Sequence, residues 1–167
     1  MTREPMGWWG ERWLSYLHGE LGVGPESDGQ ARSAQRAEGQ VRIQKGRVAA
    51  RVWVSERKQV EATVRVRPWT EREWRRAAEA IAASPELAQR ELSGTLGAEL
   101  EEALAALGQP LFPAPGPGAV RCTCAGSGSC RHLNYLAVQT AALLDANPFL
   151  WLEVLGRGRA ELLAEVK

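Results

Sequence analysis

Residues 121–132 read Arg-Cys-Thr-Cys-Ala-Gly-Ser-Gly-Ser-Cys-Arg-His. The segment holds all three cysteines of the chain and one of its two histidines. Thiolate and imidazole are ligands that zinc prefers, four at a time in a tetrahedron, with sulfur at about 2.3 Å and nitrogen at about 2.0–2.1 Å. Cys122 and Cys124 are two residues apart, so an extended backbone puts them on one side. The loop Ala125 to Ser129 contains two glycines and two serines and can turn without steric cost. Cys130 and His132 then bring back a second pair, with His132 in the first turn of a helix whose amides and dipole favour thiolate charge. Arg121 and Arg131 flank the group and would offset the single negative charge left by three thiolates and Zn2+.

With Cys122, Cys124, Cys130 and His132 all bound, no position remains for water or substrate. A closed site of this kind is structural rather than catalytic. It supplies folding energy to a segment that cannot build a core of its own, so residues 120–132 are expected to be disordered without the metal. A redox pair at Cys122 and Cys124 leaves Cys130 and His132 without a role. An iron–sulfur cluster is disfavoured by the histidine and the short loop.

The elements around this segment follow from periodicity. Residues 8–18 place Trp9, Trp13, Tyr16 and Leu17 on one helical face, and Gly19 stops the helix. Residues 19–39 are polar and rich in Gly, Pro, Ser and Gln, and are expected to form a partly mobile loop. From 40 to 67 the apolar residues recur every second position: Val41, Ile43, Val48, Ala50, Val52, Val54, Val60, Ala62, Val64 and Val66. Turns at Lys45-Gly46 and Ser55 to Lys58 divide this stretch into a three-stranded antiparallel meander with one apolar face. Pro68 ends it. Thr70 and Glu73 form a capping-box pattern for a helix over 71–83, with Trp74, Ala77, Ala78 and Ile81 as its stripe. Further helices are expected over 85–92, 97–107, 131–146, 148–155 and 159–166. The four prolines of 109–119 mark a linker, anchored by Leu111 and Phe112. In the 131–146 helix Leu133, Leu136, Ala137, Thr140 and Leu143-Leu144 share one side.

The expected architecture is therefore α+β: the meander packed with several short helices, then the zinc segment leading into a helix. Four regions are expected: a Trp-rich helix and loop (1–39), the meander with helices (40–108), the linker (109–119), and the zinc segment with C-terminal helices (120–167). The chain has 167 residues and a formal net charge of +1. That total hides thirteen Arg or Lys against five Glu in residues 31–76, and one Arg against six Glu in 77–120. Such asymmetry marks either a polyanion-facing side or ordinary surface variation. The N-terminal residues lack the pattern of a secretory signal, and no apolar run is long enough to span a bilayer. Three cysteines, an odd number, argue against a disulfide framework. A cytoplasmic location, with no membrane partner, is expected.

At Cys122-x-Cys124 and Cys130-x-His132 the chain resembles the SWIM zinc finger, whose pattern is C-x-C, a variable gap, then C-x-H. Flanking similarities to a bacterial SWIM-containing family lie at Trp8-Trp9-Gly10, Ala31 to Ala37, Gly46 to Val52, Trp74, Leu111-Phe112-Pro113 and Pro148-Phe149. They extend from about residue 8 to about residue 160. Between the ligand pairs the family commonly has Pro-Asp and an aromatic or small-residue run, where this chain has Ala-Gly-Ser-Gly-Ser. Between the last two ligands it often has Lys, where this chain has Arg131. The resemblance implies one structural zinc ion and a module that binds DNA or protein beside a Swi/Snf-type, helicase-like ATPase. It carries no catalytic residues.

Beside that resemblance, the polar face of the meander groups Arg42, Arg47, Arg51, Arg65 and Arg67 with Trp53. Guanidinium groups suit phosphate, and an indole stacks on an unpaired base. Arg121 and Arg131 would add to such a contact. The alternative is a protein–protein adaptor that touches no nucleic acid, with Trp8, Trp9, Trp13, Phe149, Leu150 and Trp151 as exposed anchors. Burial habits favour those residues as core instead. An enzyme is not expected, and neither is a small-molecule substrate. His18 sits at a helix end, Glu101-Glu102 lie on an exposed helix face, and no phosphate-binding Gly-x-x-x-x-Gly-Lys loop is present.

Overall fold

The computed structural model describes residues 7–19, 39–86, 88–89, 97–116, 118–124, 131–158, 160–161 and 164. The elements in chain order are α1 (Trp8–Gly19), β1 (Gly39–Gln44), β2 (Arg47–Ser55), β3 (Lys58–Arg65), α2 (Glu71–Ala83), α3 (Ala98–Ala106), β4 (Val120–Cys122), α4 (Arg131–Ala146) and α5 (Phe149–Leu155). The class is α+β, as expected. Of the helix expected over 85–92, residues 85, 86, 88 and 89 are described and helical, and of that over 159–166 residues 160, 161 and 164; the rest of both, and residues 20–38 of the expected loop, lie outside the described residues.

The strands form one antiparallel sheet in the order β1-β2-β3-β4. Register follows the alternation: Val41 opposes Ala50, Val48 opposes Val64, and Val52 opposes Val60. These residues share a face, and Val48, Ala50, Val52, Val60, Ala62 and Val64 are all buried there. A one-residue slip would turn the whole set outward, which is why a one-sided sheet holds its register. Gly46 (φ 76°) takes the left-handed position in the β1–β2 turn. Its N–H donates to Val154 O (2.7 Å) and its carbonyl accepts from Val66 N (3.0 Å), tying the turn to α5 and to the end of β3.

The expected meander of three strands is corrected to a sheet of four. Val120–Cys122 pairs with β3, with Ala62 opposite Cys122, Thr63 opposite Arg121 and Val64 opposite Val120. Hydrogen bonds from Arg65 N to Ala119 O (2.7 Å) and from Thr123 N to Glu61 O (3.0 Å) extend the pairing at both ends. A strand of three residues is too short to show a period in the sequence. It forms because the open edge of β3 offers unpaired backbone groups, a tertiary cause rather than a local preference.

Helix α4 lies on the apolar face of the sheet, and α1 packs on α4. Leu133, Leu136, Ala137, Thr140 and Leu144 of α4 are buried, whereas Leu143, expected on that side, is 37% exposed. The capping box of α2 forms as expected: Thr70 accepts from Glu73 N, and Glu73 accepts from Thr70 N. Trp13, Tyr16, Phe112 and Trp151 build an aromatic centre, with Phe112 and Trp151 stacked at 4.5 Å. Each polar aromatic atom there has a carbonyl partner: Trp13 Nε1 donates to Ala137 O, Tyr16 OH to Pro113 O, and Trp151 Nε1 to Leu111 O. Trp9, Trp13, Phe149 and Trp151 are thus core, not anchors offered to a partner. Among the described residues no helix is long and apolar enough to cross a membrane.

Candidate metal centre

The register of β4 decides where the cysteines point. Cys122 is opposite Ala62, so its side chain leaves the sheet on the apolar face, toward α4. Thr123 must then face the other way, and two hydrogen bonds hold it there. Its N–H donates to Glu61 O, and its Oγ1 accepts from Glu61 N at 2.9 Å. That alternation returns Cys124 to the side of Cys122. Both cysteines are half-buried and pack against the core, and they are not joined to each other in a disulfide.

The third candidate ligand comes from the first turn of α4. His132 is only 7% exposed, and its Nδ1 lies 3.6 Å from Cys122 Sγ. The ligand atoms of Cys122, Cys124 and His132 all lie within 4.8 Å of one another. A tetrahedron with the zinc distances given above has a sulfur–nitrogen edge of about 3.6 Å and a sulfur–sulfur edge of about 3.8 Å. The first matches the observed separation. The second requires no ligand pair to close by more than about an ångström. The residues therefore fit a thiophilic, tetrahedral ion. Cys130 lies outside the described residues.

Burial, and secondarily the charge of Arg131, push the His132 imidazole below its ordinary pKa, so it stays neutral and able to ligate. Arg131 Nε donates to His132 Nε2 at 3.5 Å. That orientation leaves Nδ1 facing Cys122.

The arginines expected to act together fall in three places. Arg42, Arg47, Arg51, Arg65 and Arg121, with Trp53, occupy the outer face of the sheet, opposite the core. Arg67 lies beyond β3 and grips Glu73 with both terminal nitrogens, at 2.8 and 3.1 Å. Arg131 lies beside His132 at the candidate metal centre. Glu61 sits among the outer arginines, paired with Arg47 and, at 3.6 Å, with Arg51. Sequence reasoning missed the part played by Thr123 and Glu61. Their only signal was the polar residue between two ligands, which reads as a spacer until β4 is known.

No family model and no solved structure matches the chain. It is 29% identical over 164 residues to Rv2102, an uncharacterized protein of Mycobacterium tuberculosis. The alignment covers 95% of this chain and 58% of that protein, so the chain spans rather more than half the length of this relative.

Proposed function

We propose that the chain is a non-catalytic interaction module of the SWIM type, built around one structural zinc ion held by Cys122, Cys124, Cys130 and His132. It contacts DNA as an accessory to a helicase-like ATPase in the reducing cytoplasm. The observation that carries this reading is the convergence of Cys122, Cys124 and His132 at the junction of β4 and α4, with Sγ and Nδ1 one tetrahedral edge apart. Zinc bound there supplies a cross-link between a three-residue edge strand and the helix that covers the sheet. The chain's own residues do the rest. Thr123 fixes the cysteine alternation, β3 aligns Cys122, and burial keeps His132 neutral. Zinc held by Nδ1 would leave the ring proton on Nε2, where Arg131 could no longer donate. Four protein ligands leave no open coordination position, which is why the role is structural.

Metal analysis of the purified chain and of Cys124→Ser tests this. About one zinc per chain is expected in the parent, with loss of metal and a lower melting temperature in the variant. A zinc-free parent with the same melting curve as the variant would refute it.

A further inference from the structure

The outer face of the sheet carries an arrangement that a solvated surface does not need. Arg47 and Arg65 stand directly opposite each other on β2 and β3. Like charges in direct register destabilise a sheet. One row along, Arg42 on β1 and Arg121 on β4 end a line across all four strands, with Ala49 and Thr63 between them. Ala49 and Thr63 are small and nearly buried, so they form a low floor between raised guanidinium groups. At a strand spacing of about 4.8 Å that floor is about 14 Å wide, and successive rows are about 7 Å apart. Glu61 occupies Arg47 and Arg51. Among the described residues Arg42, Arg65 and Arg121 have no acidic partner.

Trp53 lies on this same face, two residues beyond Arg51, where the β2–β3 register shifts. It is 47% exposed, whereas Trp9, Trp13, Trp69, Trp74 and Trp151 are buried. An exposed indole beside a basic groove can stack on a base only if that base is unpaired. In a duplex the base faces are hidden, and a four-stranded sheet is wider than the helix or two-stranded ribbon that the major groove admits.

We infer that the outer sheet face is a binding surface for single-stranded DNA, with Arg42, Arg65 and Arg121 on phosphates and Trp53 stacked on a base. This rests on the DNA-contact part of the function proposed above and names its ligand and its surface. Its contacting groups are separate from Cys122, Cys124 and His132, which lie on the opposite side of the sheet, and of them only Arg121 sits on the strand that the metal would brace.

The test is fluorescence anisotropy of the zinc-loaded full chain with a labelled mixed-sequence oligonucleotide, single-stranded, as duplex and as the matched RNA, over a salt series. Zinc content and melting temperature are read on the same samples, so failure of the metal site and failure of the surface are distinguishable. Single-stranded DNA is expected to bind more tightly than duplex at equal salt, and no less tightly than the RNA. The triple variant Arg42→Gln, Arg65→Gln, Arg121→Gln is expected to flatten the salt slope by about 2, since each single-strand phosphate contact contributes about 0.7. Trp53→Ala is expected to weaken binding about tenfold at unchanged slope, with Trp53→Phe restoring most of it. Arg72→Gln with Arg76→Gln, on exposed positions of α2, is expected to change nothing. Equal or tighter binding of duplex, tighter binding of RNA, displacement by polyglutamate at matched charge, or no binding at low salt would each overturn the assignment.

Discussion

His132 shows how surroundings leave one side chain able to ligate a metal. Its ring is buried against the sheet, and desolvation disfavours the imidazolium form. The grouping of Cys122, Cys124 and His132 was legible in the sequence because cysteine and histidine are scarce here and crowd into one segment. The device that aims them was not legible. Thr123 reaches Glu61, 62 positions away in sequence, and no local pattern announces that pair. A second residue-scale case is open to titration. Glu73 holds its carboxyl at about 2, against an ordinary 4.5, first through hydrogen bonds from Arg67. The folded pKa lies below the unfolded one, so the stabilisation is complete above 4.5 and is lost as pH falls through about 2. Unfolding free energy measured across that window is expected to fall more steeply with acid in the parent than in Glu73→Gln. Parallel profiles for the two proteins would contradict this use of Glu73.

Among the elements, β4 has the largest consequence for its length. It has three residues, yet it aligns Cys122 with Ala62 and places Arg121 beside Thr63, so it serves both faces of the sheet. The other elements were readable because each is long enough to show its period or carries its own stop signal. Helix α2 began at Glu71 because Thr70 and Glu73 cap it reciprocally, and the strands β1 to β3 declared themselves by alternation. Helix α4 was read with the right span, but Leu143 falls at the edge of its buried stripe, where the 3.6-residue period drifts away from the contact. If β4 is positioned by Thr123, then Thr123→Val, which keeps shape and removes the acceptor, should lower stability by about 1 kcal/mol. The same change should weaken zinc affinity, because the cysteine pair loses its alignment. Competition with a chromophoric chelator measures this directly, and unchanged affinity would mean that the metal alone orders β4.

Across the whole molecule, helices α1 and α5 meet although they are far apart in sequence. Trp13 and Tyr16 of α1 pack on Trp151 of α5, and Phe112 from the proline-rich segment stacks between them. Aromatic pairs of this kind contribute about 0.5–1.5 kcal/mol each beyond area burial. The anchoring of Leu111 and Phe112 was foreseeable, since apolar residues among prolines have little use except as core. The partners they would find were not, because nothing local relates residue 112 to residue 151. The aromatic centre joins α1, α5 and the proline-rich segment. The β4–α4 junction is different: a short edge strand meets a helix start with half-buried cysteines between them, and a bound ion is what would lock the two together. X-ray absorption at the zinc edge of the purified chain measures that ion's shell most directly. Three sulfurs at about 2.3 Å and one imidazole nitrogen at about 2.0–2.1 Å are expected. A shell of nitrogen and oxygen only, or a chain that carries no zinc, would contradict the account.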